Sequence, residues 1–218
     1  MVMFLMLSSS CSKSDTNDPA QSGTVTDVDG NVYNTVKIGT QTWMVENLKV
    51  TKYNDGTSIP NVTDNTVWKN LTTPGYCWYN NDVVNKNIYG ALYNWNAVNT
   101  GKLCPLGWHV PSKAEWDKFN TMNNADVQLK EIGTVHWKGP NDATNETGFT
   151  ALPGGERDLN GVFWSLGESG YWWSTTELNP LGYNAIFSET LEYSLHGLGG
   201  SYPNKLEDWG YSVRCIMD

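Results

Sequence analysis

The sequence predicts an α+β fold of small, mainly antiparallel sheets with two short helices and long loops, and three observations predict it. Charged residues make up only 17% of the 218-residue chain, while Trp (11), Tyr (11) and Gly (21) are abundant, which is the composition of strands and loops rather than of solvated helices. Asp-Gly pairs at 29–30 and 55–56 are each flanked by β-branched or aromatic residues, the sequence mark of a hairpin. Apolar residues at helical spacing occur in two short stretches, one after Tyr89 and one after Pro111. The length suits one domain with a sizeable core better than two small ones.

The chain opens with MVMFLMLSSSC. An apolar run this short cannot span a bilayer as a helix and fits the apolar part of a secretion signal, here residues 1–10. The small residues ahead of Cys11 resemble a lipobox, in which the signal is cleaved and the Cys becomes the lipid-bearing N-terminus. Leu7 stands four residues before Cys11 where three is usual, and no Lys or Arg precedes the run. An ordinary signal peptide cleaved nearby is the alternative. Residues 11–23 then read as the lipidated Cys and a flexible polar tether, and 24–218 as the folded domain. The expected location is the cell envelope, at the outer membrane or cell surface, with the membrane touched only through the anchor.

Within the domain, Asp27, Asp29 and Asn31 are read as a plain turn, because the other ligands of a calcium loop are missing. YGALYNWNAV sets Ala91, Trp95 and Val98 at i, i+4 and i+7 with Leu92 beside them, which predicts a short helix packed on a sheet. In LCPLGWHVPSKAEWDKF, Ser112 and Glu115 form the S-x-x-E capping box, and Pro111 restricts Val110. The second helix is therefore predicted to start at Lys113, with Trp116 and Phe119 inward and Lys113, Asp117 and Lys118 toward water. His109 is expected to hydrogen-bond backbone beneath Trp108. PGGERDLNG, 153–161, is read as a turn leading into a strand at VFW. TLEYSLHG alternates with Leu191, Tyr193 and Leu195 on one face and Glu192, Ser194 and His196 on the other. In YSVRCIMD, Tyr211, Val213 and Cys215 share a face directed at the core.

In an exported protein disulfides persist, and with Cys11 lipidated, Cys77, Cys104 and Cys215 remain of the chain's 4 cysteines. The expected bridge is Cys104 with Cys215, leaving Cys77 over. No C-x-x-C occurs, and His109, His136 and His196 have no ligand-spaced partner, so no metal site and no cofactor is expected.

The runs VKIGTQTWMVENLKVTKYNDGTSIP, YGALYNWNAV, CPLGWHVPSKAEWDKF, ETGFTALPGGERDLNGVF, GYWWSTTE and YSVRC together resemble the Fibrobacter succinogenes major paralogous domain, a family of exported bacterial proteins. The resemblance covers most of the chain after residue 27. It implies a C-type lectin-like fold, similar also to the formylglycine-generating enzymes, with GWHVPSKAEWD at the second helix and YSVRC at the closing strand. The stretch from about Pro180 to Asp208 fits the family pattern least, and variable loops on a fixed scaffold are where recognition usually resides.

A fold of this kind hosts many functions. The formal net charge of −9 disfavours nucleic acid, whose phosphates require clustered Lys and Arg. No G-x-S-x-G elbow or Walker loop is present, and the Glu-Pro-Asn and Gln-Pro-Asp triplets of calcium-dependent lectins are only approximated. The expected function is non-catalytic binding of a glycan or cell-surface protein, with Trp164, Tyr183, Tyr202 and Trp209 as candidate ligand-binding rings. The adjacent Trp172 and Trp173 are assigned to core packing, at least one of them inward. Two alternatives stand beside it: a structural subunit of a surface layer or fibre, and a copper oxidase of the formylglycine-generating type using a cysteine pair. Glu156, Asp158 and Glu177 would serve as a glycosidase pair only if suitably spaced, and in a chain this acidic such carboxylates are usually a solvated surface.

Overall fold

The computed structural model describes residues 21–178, 185–192, 199–201 and 208–218. In chain order the strands and helices are β1 (Gln21–Thr26), β2 (Val32–Ile38), β3 (Gln41–Met44), α1 (Asn65–Lys69), β4 (Tyr76–Cys77), α2 (Asn85–Tyr89), β5 (Leu92–Tyr93), α3 (Trp95–Val98), β6 (Trp108–His109), α4 (Lys113–Trp116), α5 (Ala125–Leu129), β7 (Gly154–Arg157), β8 (Phe163–Leu166), β9 (Ser169–Leu178), β10 (Ala185–Glu192), β11 (Gly199–Ser201) and β12 (Ile216–Met217). The fold is α+β and sheet-rich. One sheet runs β1-β2-β3-β12-β6, a second β11-β10-β9-β7-β8, and β4 pairs with β5. Pairing is antiparallel except between β7 and β9. No described helix is long and apolar enough to cross a membrane.

The hairpin expected at Asp29-Gly30 joins β1 and β2, and β1 begins at Gln21, within the stretch read as tether. Asp27 is a turn residue: its Oδ1 accepts from the amides of Asp29 and Asn31, and its Oδ2 from the Tyr33 hydroxyl at 2.6 Å. At Asp55-Gly56 the strands reduce to a single bridge, Lys52 with Ser58.

The helix expected from the apolar stripe of 89–98 is only α3. Asn94 caps it, accepting from the Ala97 amide, so Leu92 and Tyr93 stay extended and pair with Cys77 and Tyr76. Ala91, Trp95 and Val98 are all buried, but Leu92 packs in a different cluster. The second helix starts at Lys113 as predicted, with both halves of the Ser112–Glu115 capping box formed. Trp116 and Phe119 are buried. Lys113 is only partly exposed and forms an i,i+4 ion pair with Asp117 at 2.7 Å. The helices α1, α2 and α5 are too short to show a helical period in the sequence.

Cys104 and Cys215 are joined, with Cα atoms 6.0 Å apart and a separation of 111 in sequence. Cys77 is a buried free thiol that burial pushes up to about 12. Tyr211, Val213 and Cys215 all enter the first core cluster. The expected closing strand is shorter than predicted, with bridges at Gly210, Tyr211 and Ser212 before β12.

Strand β9 lies between two cores. Trp173 enters the cluster that contains the disulfide, while Trp172 enters the one built on Trp43, Trp116 and Phe149. Both rings point inward, on opposite faces, as strand alternation requires. Their indole nitrogens donate to the Tyr93 carbonyl (2.6 Å) and to Asn47 Oδ1 (2.8 Å). Two arginines are fully buried as well. Arg214 donates to Asn47 Oδ1 and the Phe149 carbonyl. Arg157 donates to the carbonyls of Gly161, Val62 and Thr63 and lies between the rings of Trp68 and Phe163, at 4.4 and 4.9 Å. Carbonyls and ring faces replace the water these guanidinium groups give up.

Candidate functional site

The residues singled out in the sequence separate into two places. At the first, His109 does not bond backbone as expected: Nδ1 lies 2.6 Å from Asp218 Oδ1 and Nε2 2.9 Å from Glu115 Oε1. The other Glu115 oxygen accepts from Ser112 N and Oγ at 2.6 and 2.7 Å. Burial opposes charging of His109, but these carboxylates outweigh it and raise its pKa above the ordinary imidazole value. The ring therefore ties the chain end to the capped helix, and each of its nitrogens already has a carboxylate partner. These contacts brace the corner from within the fold.

The second place is the β7–β8 hairpin. PGGERDLNG is strand through Arg157 and turns only from Asp158 to Gly161, where the Asp158 amide meets the Val162 carbonyl at 2.8 Å. Gly161 closes the turn with φ 80°, and a Cβ there would lie 2.8 Å from Asn65 Cα, so the tip sits tightly on α1. Asp158 organises the hairpin: Oδ1 accepts from the amides of Asn160 and Val162, and Oδ2 accepts from Trp164 Nε1 at 3.1 Å. The indole is thereby held by its one donor while 54% of the residue remains exposed, and Trp164 is on a strand rather than in a loop.

Glu156 is directly opposite Trp164 across the β7–β8 pair, and directly opposed residues share a face. On the other side of β7, Arg157 exchanges both backbone hydrogen bonds with Gly210. That brings Tyr211, the residue after Gly210, beside Glu156. Burial, then the neighbouring Asp158, push the Glu156 carboxyl up to about 7. The Tyr211 ring stacks on Tyr171 at 5.3 Å and 18°. Arg157 directs its guanidinium away, to the Val62–Asn65 segment.

Of the predicted ligand-binding rings, Trp164 is thus exposed and fixed. Trp209 is only partly exposed, packing on the first core cluster with its ring 6.0 Å from Tyr211, so it borders the hairpin face rather than standing free. Tyr183, Tyr202 and Cys11 lie outside the described residues, as do Tyr193, Ser194, Leu195 and His196. Of the three carboxylates considered for glycoside hydrolysis, Glu156 and Asp158 are neighbours on the hairpin and Glu177 is remote from them. Glu177 is seven residues along β9 from Gly170, the partner of Gly155, a separation of roughly 23 Å at strand rise, and both Asp158 oxygens are engaged within the turn. What sequence reasoning missed is the meeting of Glu156 with Tyr211, which depends on a long-range pairing that leaves no local mark.

Among the described residues no group of three or more His, Cys, Asp and Glu is placed to hold a metal ion. A groove of about 440 Å³ among the described residues lies between Ile38–Gln41 and Lys118–Met122. No curated protein and no solved structure matches the chain. Residues 36–217, from β2 to the end of β12, match the Fibrobacter succinogenes major domain, and the chain belongs to that family.

Proposed function

We propose that the protein is an exported, lipid-anchored surface protein that binds a glycan or protein ligand without catalysing a reaction, on a C-type lectin-like scaffold. The observation that carries this reading is Trp164: a large ring more than half exposed, yet held in one orientation through Asp158. An exposed aromatic ring with its orientation already set offers contact area at little ordering cost. The short capped helix against a small antiparallel sheet, stapled to the final strand by Cys104–Cys215, supports the scaffold assignment. The same staple argues against the oxidase alternative, because the cysteines such an enzyme needs as copper ligands are bonded to each other and Cys77 is buried. Export and anchoring rest on the apolar N-terminal run and Cys11.

The test is a glycan array and a peptide array, each probed with and without calcium, using the wild type and Trp164→Ala. Binding on either array that Trp164→Ala abolishes is expected. Two empty arrays with folded protein would refute the reading. For anchoring, Cys11→Ala is expected to move the protein out of the membrane fraction, and an unchanged distribution would contradict it.

A further inference from the structure

We infer that the Trp164 face accepts a lysine or arginine side chain from a basic segment of a protein partner, the cation lying over the indole and pairing with the Glu156 carboxylate. The inference rests on the binding reading above and narrows it to one ligand chemistry. Three features of the face favour a cation over a sugar. The first is the shortage of free hydrogen-bonding groups. Trp164 Nε1 is committed to Asp158, and the Asp158 oxygens are committed to the turn amides and that indole. A saccharide displays many hydroxyls and would find few partners here, whereas an ammonium or guanidinium group needs a ring face and an acceptor. The second feature is that, among the described residues, no counter-charge faces Glu156. The groups that face it are Asp158 on its own hairpin, Tyr211, and Tyr171 from β9, with Glu192 of β10 acting on Tyr171. None of these is cationic, and the one nearby guanidinium, Arg157, is turned to the opposite side. The third is the formal charge of −9 on the whole chain, which steers basic partners toward it.

The arrangement makes the contact dependent on pH. Glu156 titrates at about 7, whereas lysine and arginine stay charged throughout the neutral range. The ionised fraction of Glu156 falls about tenfold from pH 8 to pH 6, and affinity for a basic peptide is expected to fall with it.

The experiment measures binding of the intact protein to a Gly-Lys repeat peptide by calorimetry at pH 6 and pH 8, with the lysine-acetylated peptide as neutral control. Variants are Trp164→Ala, Glu156→Gln, and Glu146→Gln, which removes an equal charge from an exposed site in another loop. Gln keeps the size of the side chain and removes only its charge, so Glu156→Gln is expected to fold. The inference expects Trp164→Ala and Glu156→Gln to weaken binding about fivefold or more at pH 8, Glu146→Gln to change it less than about twofold, acetylation to abolish it, and the pH dependence to vanish in Glu156→Gln. Equal losses in all three variants would reduce the attraction to net charge and overturn the inference. A glycan that binds through Trp164 but is indifferent to Glu156→Gln would overturn it too, while leaving the binding reading intact. If neither peptide nor glycan binds, both fail.

Discussion

The corner around His109 and the hairpin around Trp164 both combine tryptophan with carboxylates, yet they leave those groups in different states. At the corner, each Glu115 oxygen, the capping hydroxyl and both imidazole nitrogens have partners within the chain. At the hairpin, Asp158 accepts from two turn amides and from Trp164, which presents the indole, and among the described residues no cation faces Glu156. The contrast teaches that composition does not separate scaffold from binding surface in this chain. What separates them is whether the polar partners close on one another or leave an acceptor and a ring face open.

The largest expected effect sharpens the scaffold side. Replacing both Cys104 and Cys215 by Ala releases a closure between residues 111 apart in sequence, a loss of about 4 to 5 kcal/mol in the chain-entropy account. In a domain this size that lowers the melting temperature by roughly 10 °C or more. A shift of only a degree or two would mean that the corner is held by its hydrogen bonds instead.

A smaller effect is expected from the cap itself. Ser112→Ala should cost about 1 kcal/mol, measured by denaturant unfolding, and its effect should be coupled to that of His109→Gln, because both side chains bond the Glu115 carboxylate. Strict additivity in the double mutant would break the picture of one closed network.

A pH effect on the order of several kcal/mol, nearer in size to that of the disulfide than to that of the cap, involves both regions. Burial, then Asp117, push Glu189 up to about 8 from its ordinary 4.5, and Glu156 is raised in the same direction. A carboxyl raised in the folded state contributes stability that is present below pH 4.5 and lost as pH rises through the folded value. His109, also raised, contributes stability that is full below its unfolded value and is likewise lost with rising pH. Lowered carboxylates such as Glu115 and Asp29 act in the opposite sense, at acid pH. Stability is therefore expected to peak near pH 5 and decline toward pH 8. Glu189→Gln should raise the melting temperature at pH 8 and leave it nearly unchanged at pH 5. A higher melting temperature for the wild type at pH 8 than at pH 5 would contradict these assignments.

Much of the scaffold was legible in the residues because its determinants are local. The Ser112–Glu115 spacing marks a helix start, Asp29-Gly30 marks a hairpin, and Cys104 and Cys215 flank segments whose patterns place them inward. The stripe Ala91, Trp95 and Val98 misled because every side of that segment is buried, so helical spacing of apolar residues no longer distinguishes a helix from a strand followed by a capped turn. Asn94 was the missed signal. Arg157 and Arg214 were missed because a charged residue is usually solvated, and only the folded chain supplies the carbonyls and rings that hold them. The candidate site was half legible. Trp164, Glu156 and Asp158 each stood out singly, but their division into platform, acceptor and brace depends on which strand pairs with Gly210.

The most direct test of the distinction between closed corner and open face is a paired measurement on Trp164→Ala: thermal stability and ligand binding on the same preparation. The account expects a melting temperature within about 2 °C of wild type, as for an exposed side chain outside the core, together with loss of binding to the arrays and to the basic peptide. A destabilised variant that still binds would contradict it, because the ring would then belong to the scaffold and the ligand to some other surface.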